Sequence, residues 1–352
     1  MSALMRADDI VDSVLAGYLR DADALVAAGL AAPGAIDAAM RLGAGHRAGP
    51  FAARGFAAAT TDDELDAEPF DGPTVVVGSG RMASGIVEAI ARAGRPVVAL
   101  TRSRASAEKL TQTIGDSLAR AVGRGKLDED DAARALASVT ATPDPAEAGA
   151  AGVVIEAVIE DLGVKRELLA RLDDVWPDDV PLATNTSSFT VAETMAGVRS
   201  SRPTLALHFF NPAPAMRLVE VVAGPRADAT TVGRASAWVR AIGKEPVRAP
   251  DERGFLVNRL LIPMLNDAVR VHEDGTPIAD IDAAMTGHAG HPMGPFALMD
   301  MIGIDVMVAA LDALAEGRDA RIRPARTLRE LLAAGRLGRK SGGGFSSEGH
   351  PA

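Results

Sequence analysis

The stretch Thr74-Val75-Val76-Val77-Gly78-Ser79-Gly80-Arg81-Met82-Ala83 constrains the fold of this chain more than any other. Four β-branched residues in a row are apolar on both faces, as a strand buried inside a parallel sheet must be. They run straight into G-x-G-x-x-A and then into the helical pattern of Met82-Ala83-Ser84-Gly85-Ile86-Val87-Glu88-Ala89-Ile90. A strand that ends in a tight glycine turn and opens a helix is one half of a β-α-β unit. Similar apolar runs recur at 96–100 (PVVAL), 153–158 (VVIEAV), 181–184 (PLAT) and 204–209 (TLALHF), with helical stretches between them, among them 105–122 and 164–175. Strands alternating with helices predict an α/β fold built on a doubly wound parallel sheet.

The chain is 352 residues long, 47% hydrophobic and 24% charged, enough for two or three domains rather than one core. Residues 1–68 read as a helical extension, with Ile10, Val14, Leu15, Tyr18, Leu25 and Val26 near three-and-four spacing. An acidic Pro- and Gly-bearing linker (DELDAEPFDGP) leads to the α/β region, 73–250. After Gly254 the strand signals stop, and 251–345 reads as an all-α C-terminal domain. The two helical regions share a sequence: Ile36-Asp37-Ala38-Ala39-Met40 returns as Ile281-Asp282-Ala283-Ala284-Met285, and at the same offset His46 and Gly49-Pro50-Phe51 return as His291 and Gly294-Pro295-Phe296. The extension therefore reads as a degenerate copy of a helix-loop-helix unit of the C-terminal domain. Ser13 stands in the copy where Asn258 stands in the original, which favours a structural or interface role over a second active site.

Composition removes whole classes of function. A net charge of −10 disfavours a nucleic-acid partner, which needs a positive surface to release counterions. No cysteine is present, so disulfides and thiolate chemistry are excluded, and six scattered histidines show no metal-binding spacing; no metal is expected. No run of eighteen apolar residues and an acidic N-terminal segment predict neither a membrane span nor a signal peptide, and place the protein in the cytoplasm.

The turn itself suggests a ligand. In G-x-G-x-x-A the first glycine allows the turn, the second lets backbone approach a pyrophosphate, and Ala83 lets helix and strand pack closely. The helix N-terminus adds free N–H groups and a positive dipole end. Gly78, Gly80, Met82 and Ala83 are thereby assigned to dinucleotide binding on a Rossmann-type sheet. The second strand ends Ala99-Leu100-Thr101-Arg102-Ser103-Arg104, without the acid that holds the ribose hydroxyls of NAD. Thr101 removes repulsion toward a 2′-phosphate and Arg102 or Arg104 can pair with it, so NADP is preferred over NAD. Further on, Leu207 to Val222 reads as strand, proline-stiffened turn and strand. Period-two alternation puts Glu220 on an apolar face, where a carboxylate needs a partner, and His208 across the turn is the nearest in the local sequence. Such a pair suits a general base that removes a hydroxyl proton while hydride leaves; the plainer alternative is a buried structural ion pair.

In order along the chain, GSGRMASGI, VIEAVIEDLGVKRELLARLD, ATNTSSFTV, LHFFNPAPAMRLVEVV, GFLVNRLLIPMLNDAV, GHPMGPFALMDMIGID and GRLGRKSGGGF resemble the 3-hydroxyacyl-CoA dehydrogenase family over about residues 73–345. The resemblance implies reversible oxidation of a (S)-3-hydroxyacyl-CoA thioester to the 3-oxoacyl thioester. In it His208 is the base, Glu220 its orienting partner, and Ser187 and Asn258 bind the substrate oxygen. It further implies that Asn211 lies by the nicotinamide, that Glu160, Lys165 and Lys340 contact the dinucleotide, that Ser117 and Arg124 hold the CoA phosphates, and that the protein is a homodimer through its helical domain. The extension is expected to pack on that domain, supplementing or replacing part of the dimer contact. Two other readings remain open: a same-fold dehydrogenase acting on an acyl-carrier-protein-bound or free 3-hydroxy acid, which would tolerate loss of Ser117 and Arg124, and a non-catalytic structural relative.

Overall fold

The computed structural model describes residues 5–56, 67–199, 201–316 and 319–346. The first residues of the predicted linker, 63–66, lie outside the described residues. The chain divides into two compact units, Asp62–Glu252 on one hand and Met1–Thr61 with Arg253–Ala352 on the other.

In chain order the second unit begins with α1 (Ala7–Ala27) and α2 (Pro33–Gly43). Asp8 and Asp9 in the first turn of α1 complement the helix dipole, and Ile10, Val14, Tyr18 and Leu25 form its buried stripe.

The α/β unit then runs β1 (Thr74–Val77), α3 (Arg81–Arg92), β2 (Val97–Leu100), α4 (Arg104–Gly123), α5 (Glu129–Ala137), β3 (Val139–Thr142), α6 (Pro145–Ala148), β4 (Val153–Glu156), α7 (Leu162–Leu172), β5 (Leu182–Thr184), α8 (Val191–Thr194), β6 (Thr204–Phe209), β7 (Leu218–Ala223), α9 (Ala229–Ala241) and β8 (Glu245–Ala249). The strands form one sheet in the order β3-β2-β1-β4-β5-β6-β7-β8. β1 to β6 are parallel, β7 turns antiparallel beside β6, and β8 runs parallel to β7. Strand order reverses between β1 and β4, so the glycine turn after β1 sits at the topological switch point, where doubly wound sheets bind ligands.

Two strands differ from expectation. β3 and β8 are the sheet edges and half exposed, so their sequences (VTAT, EPVRA) lack the continuous apolar run that marks strands buried on both faces. The helix expected over 164–175 starts earlier, because the Asp161 side chain accepts from Val164 N at 2.9 Å and caps it, and it ends at Leu172.

The helical unit continues with α10 (Val257–Glu273), α11 (Ile278–Gly287), α12 (Pro295–Ile302), α13 (Ile304–Ala315) and α14 (Arg326–Ala333). The repeat is structural as well as sequential. Asp37 of α2 accepts from Phe51 N and Ala52 N (2.9 and 2.8 Å), and Asp282 of α11 accepts from Phe296 N and Ala297 N (3.0 and 3.4 Å). α1 packs along α10, within the same unit. No described helix is long and apolar enough to cross a membrane.

His46 and His291 stack with ring centroids 3.8 Å apart and planes at 18°. Burial, together with the charge of His291, lowers the His46 pKa to about 3, and burial lowers that of His291 to about 4. Both rings are thus neutral in the folded chain, whereas in the unfolded chain they take up protons below about 6.5. Their contribution is intact above that pH and declines as pH falls toward about 4, with a combined slope approaching about 2.7 kcal/mol per pH unit. Denaturant titrations at pH 7, 6 and 5 should show this loss, and His46→Gln/His291→Gln should flatten it; equal slopes in both proteins contradict it.

Candidate active site

The turn after β1 is built so that only glycine fits its first position. Gly78 has φ of +140°, and a Cβ there would lie 2.6 Å from the Ala157 carbonyl oxygen and 3.2 Å from Ala83 Cβ. Ala83 is fully buried beneath it. Gly80 caps α3, and a Cβ placed on it meets nothing within 4 Å. The open side of the turn and the first N–H groups of α3, at Arg81 and Met82, therefore form a cradle that suits a pyrophosphate. At the end of β2, Thr101 is buried with its hydroxyl donating to Ser103 O at 3.0 Å, while Arg102 and Arg104 are exposed.

Beyond β4 the buried charges are organised around Glu156. Its carboxylate accepts from Val158 N (2.7 Å), Thr184 Oγ1 (2.6 Å) and Lys165 Nζ (2.8 Å), and Lys165 reaches Glu160 as well, at 3.2 Å. Lys165 is 1% exposed, and its ammonium faces the two carboxylates. What it does there is hold Glu160. Glu160 Oε1 accepts from Thr186 Oγ1 (2.7 Å), Ser187 N (2.8 Å), Ser188 N (2.9 Å) and Ser187 Oγ (3.3 Å). Burial pushes the Glu160 carboxyl up, but the Lys165 charge and these hydrogen bonds outweigh it and hold the group below the usual carboxylate range. The loop carrying Ser187 is thus fixed from beneath by an anion.

His208 and Glu220 face each other across the β6–β7 pair in direct register. His208 Nδ1 lies 2.6 Å from Glu220 Oε2, with the His208 side chain 6% and that of Glu220 0% exposed. A carboxylate can only accept, so Nδ1 carries the hydrogen and Nε2 is the acceptor nitrogen of the ring. The Phe210 ring packs against the imidazole at 4.5 Å between centroids. Two supports are invisible in the sequence. Asn185 Oδ1 accepts from Phe209 N at 2.8 Å, beside His208. Lys244 Nζ donates to the carbonyls of Ala213 (2.7 Å), Pro214 (3.1 Å) and Met216 (2.8 Å), pinning the turn after Asn211; burial and the nearby Arg92 charge lower its pKa to about 8.

A cleft of about 340 Å³ opens beside that turn, lined by Asn211–Ala215, by Arg81, Glu88 and Arg92 of α3, and by Ser117, Arg120, Arg124 and Lys126. Five cationic side chains face one carboxylate there, so the cleft selects anions. Ser117 and Arg124 both line it. Asn258, on α10, and Lys340, whose Nζ binds Asp305 Oδ2 at 2.6 Å, belong to the helical unit. Replacing Lys165 by Met should cost about 3–5 kcal/mol, because it strands Glu156 as an unpaired buried carboxylate. Adding Glu156→Gln should recover part of that in denaturant unfolding; no recovery places the cost elsewhere.

With this geometry in place, the comparisons with known proteins are specific. The family model described as the NAD binding domain of 3-hydroxyacyl-CoA dehydrogenase matches residues 74–252, and that of the C-terminal domain matches both 10–62 and 254–348. A 3-hydroxybutyryl-CoA dehydrogenase of Clostridioides difficile is 36% identical over 272 residues, covering 77% of this chain and 97% of the relative. One from Mycobacterium tuberculosis (strain ATCC 25618 / H37Rv) is 40% identical over 274 residues, covering 77% and 96%. The crystal structure of (S)-3-hydroxybutyryl-CoA dehydrogenase from Ralstonia eutropha superposes with a TM-score of 0.76 at 37% identity, covering 79% of this chain and 99% of that one. The chain belongs to the 3-hydroxyacyl-CoA dehydrogenase family.

Proposed function

We propose that the protein interconverts (S)-3-hydroxyacyl-CoA and 3-oxoacyl-CoA thioesters with a nicotinamide cofactor. The observation that carries this is the His208–Glu220 pair, closed at 2.6 Å in a family whose relatives are named for that chemistry. The bound dinucleotide supplies the hydride acceptor, and the cradle at Gly80 and the α3 N-terminus holds its phosphates. In the oxidative direction His208 Nε2 takes the hydroxyl proton as the C3–H bond gives up its electron pair with the hydride. Glu220 stabilises the imidazolium that results. Ser187, held by Glu160 at 2.8 Å through its backbone N–H, keeps its hydroxyl near the same loop to polarise the substrate oxygen. Asn211 lines the edge of the cationic cleft, and Ser117 and Arg124 within it meet the phosphates of CoA. That cleft favours a CoA thioester over a free hydroxy acid, which has no phosphates to place there.

For the cofactor, the buried Thr101 where an acid would repel a 2′-phosphate, flanked by exposed Arg102 and Arg104, supports NADP over NAD. The test follows NADPH and NADH oxidation separately with acetoacetyl-CoA. NADPH should be favoured in kcat/KM by at least about tenfold, which is about 1.4 kcal/mol. Arg102→Ser/Arg104→Ser should erase that ratio, while His208→Gln should slow turnover by about 10²- to 10⁴-fold with either cofactor. A tenfold preference for NADH retires the arginine reading. An unaffected His208→Gln enzyme retires the mechanism.

A further inference from the structure

We infer that the N-terminal repeat occupies, within a single chain, a face of the helical unit shaped to pair with its own kind, and that the protein is therefore a monomer with this face closed by its own α1 and α2.

The two copies share backbone detail at an offset of 245. Gly45 and Gly290 both take left-handed φ (+71° and +69°). His46 N donates to Met40 O and His291 N to Met285 O (3.3 and 3.0 Å). A Cβ on Gly49 would fall 2.3 Å from Asp37, and one on Gly294 2.2 Å from Asp282.

The contacts between the copies are reciprocal in the same offset. A side chain on Gly45 would meet Pro292 at 3.1 Å, and one on Gly290 would meet Arg47 at 3.5 Å. Since position 290 corresponds to 45 and position 292 to 47, these are one contact seen from each half. His46 stacks on His291, its own equivalent, so that pair lies on a local two-fold axis. α1 packs on α11 as α10 packs on α2, and α1 lies along its own counterpart α10. Contact of residue i with j′ and of j with i′ defines an isologous interface, the kind that joins identical subunits. Here both sides belong to one chain.

Where the copy departs from the original, it departs in ways that favour the internal partner. The Arg321 guanidinium bridges Asp21 of α1 and Asp267 of α10. The α1 residue facing that bridge is Gly17, where a Cβ would stand 2.3 Å from Arg321 Nη1 and 2.4 Å from Asp267 Oδ2. The α10 residue equivalent to Gly17 is Ile262, and that equivalent to Asp21 is Asn266. A second chain offering α10 at this face would drive an isoleucine into the Arg321–Asp267 pair and bring no carboxylate for Arg321. The face thus carries attraction for the extension and a clash against another α10. On this reading the homodimer expected by resemblance gives way to a monomer.

The experiment uses the full chain. Sedimentation equilibrium should give 36.3 kDa at every protein concentration; a dimer overturns the inference. Because the sequence has no cysteine, introduced thiols report proximity cleanly. With a short bismaleimide, His291→Cys should give no covalent dimer on a denaturing gel. His46→Cys/His291→Cys should lose both free thiols while staying at monomer mass. A covalent dimer from His291→Cys means that two copies meet at this face, and one from the double variant means that the extension docks on a neighbouring chain; either result overturns the inference.

Discussion

A carboxylate and an imidazole share one register position of an antiparallel strand pair, both almost wholly withdrawn from water, and the proposed chemistry of the α/β unit depends on that. Unpaired, Glu220 would be costly to bury at 0% exposure. Paired at 2.6 Å with His208, it fixes the ring orientation and places the hydrogen on Nδ1. The pairing needs β7 to run against β6, and that antiparallel turn is the point where the sheet abandons its parallel order. The topology therefore serves two tasks at once. The switch between β1 and β4 sets the glycine turn and the α3 N-terminus, and the reversal at β7 brings His208 and Glu220 together.

A second layer of buried charge holds the surroundings in place. Glu156, Lys165 and Glu160 form a chain that ends in the backbone of Ser187 and Ser188. Lys244 performs the corresponding service for the turn after Asn211, gathering three carbonyl oxygens that would otherwise lack donors. Neither lysine offers its charge to solvent: each is spent on positioning a loop. Arg102 and Arg104 after β2, and Arg81, Arg120, Arg124 and Lys126 around the cleft, are by contrast exposed.

Legibility in the sequence followed burial. β1, β2, β4, β5 and β6 are buried along their length and read as unbroken apolar runs. The edge strands β3 and β8 are half exposed and read as coil. The His208–Glu220 pair was readable because its partners are only twelve residues apart and a period-two pattern puts Glu220 on an apolar face. The contacts of Lys165 and Lys244 were not, since no period-two pattern puts Glu156 or Glu160 beside Lys165, and the carbonyls that gather Lys244 lie 28 to 31 residues away. Asn185 was missed for the same reason: its acceptor serves a backbone N–H 24 residues away. The repeat was visible because the residues that matter most to its geometry, Asp37, Gly49 and His46, are the ones it kept.

The most direct test of the central pairing is the protonation of one ring. Nitrogen-15 spectra of histidine-labelled protein at neutral pH, assigned by comparison with His208→Gln, report which nitrogen of His208 bears the hydrogen. The geometry predicts the Nδ1–H form in the native chain, and its loss or a mixture of forms in Glu220→Gln. An Nε2–H ring in the native chain, or the same spectrum with and without the Glu220 carboxylate, contradicts the account.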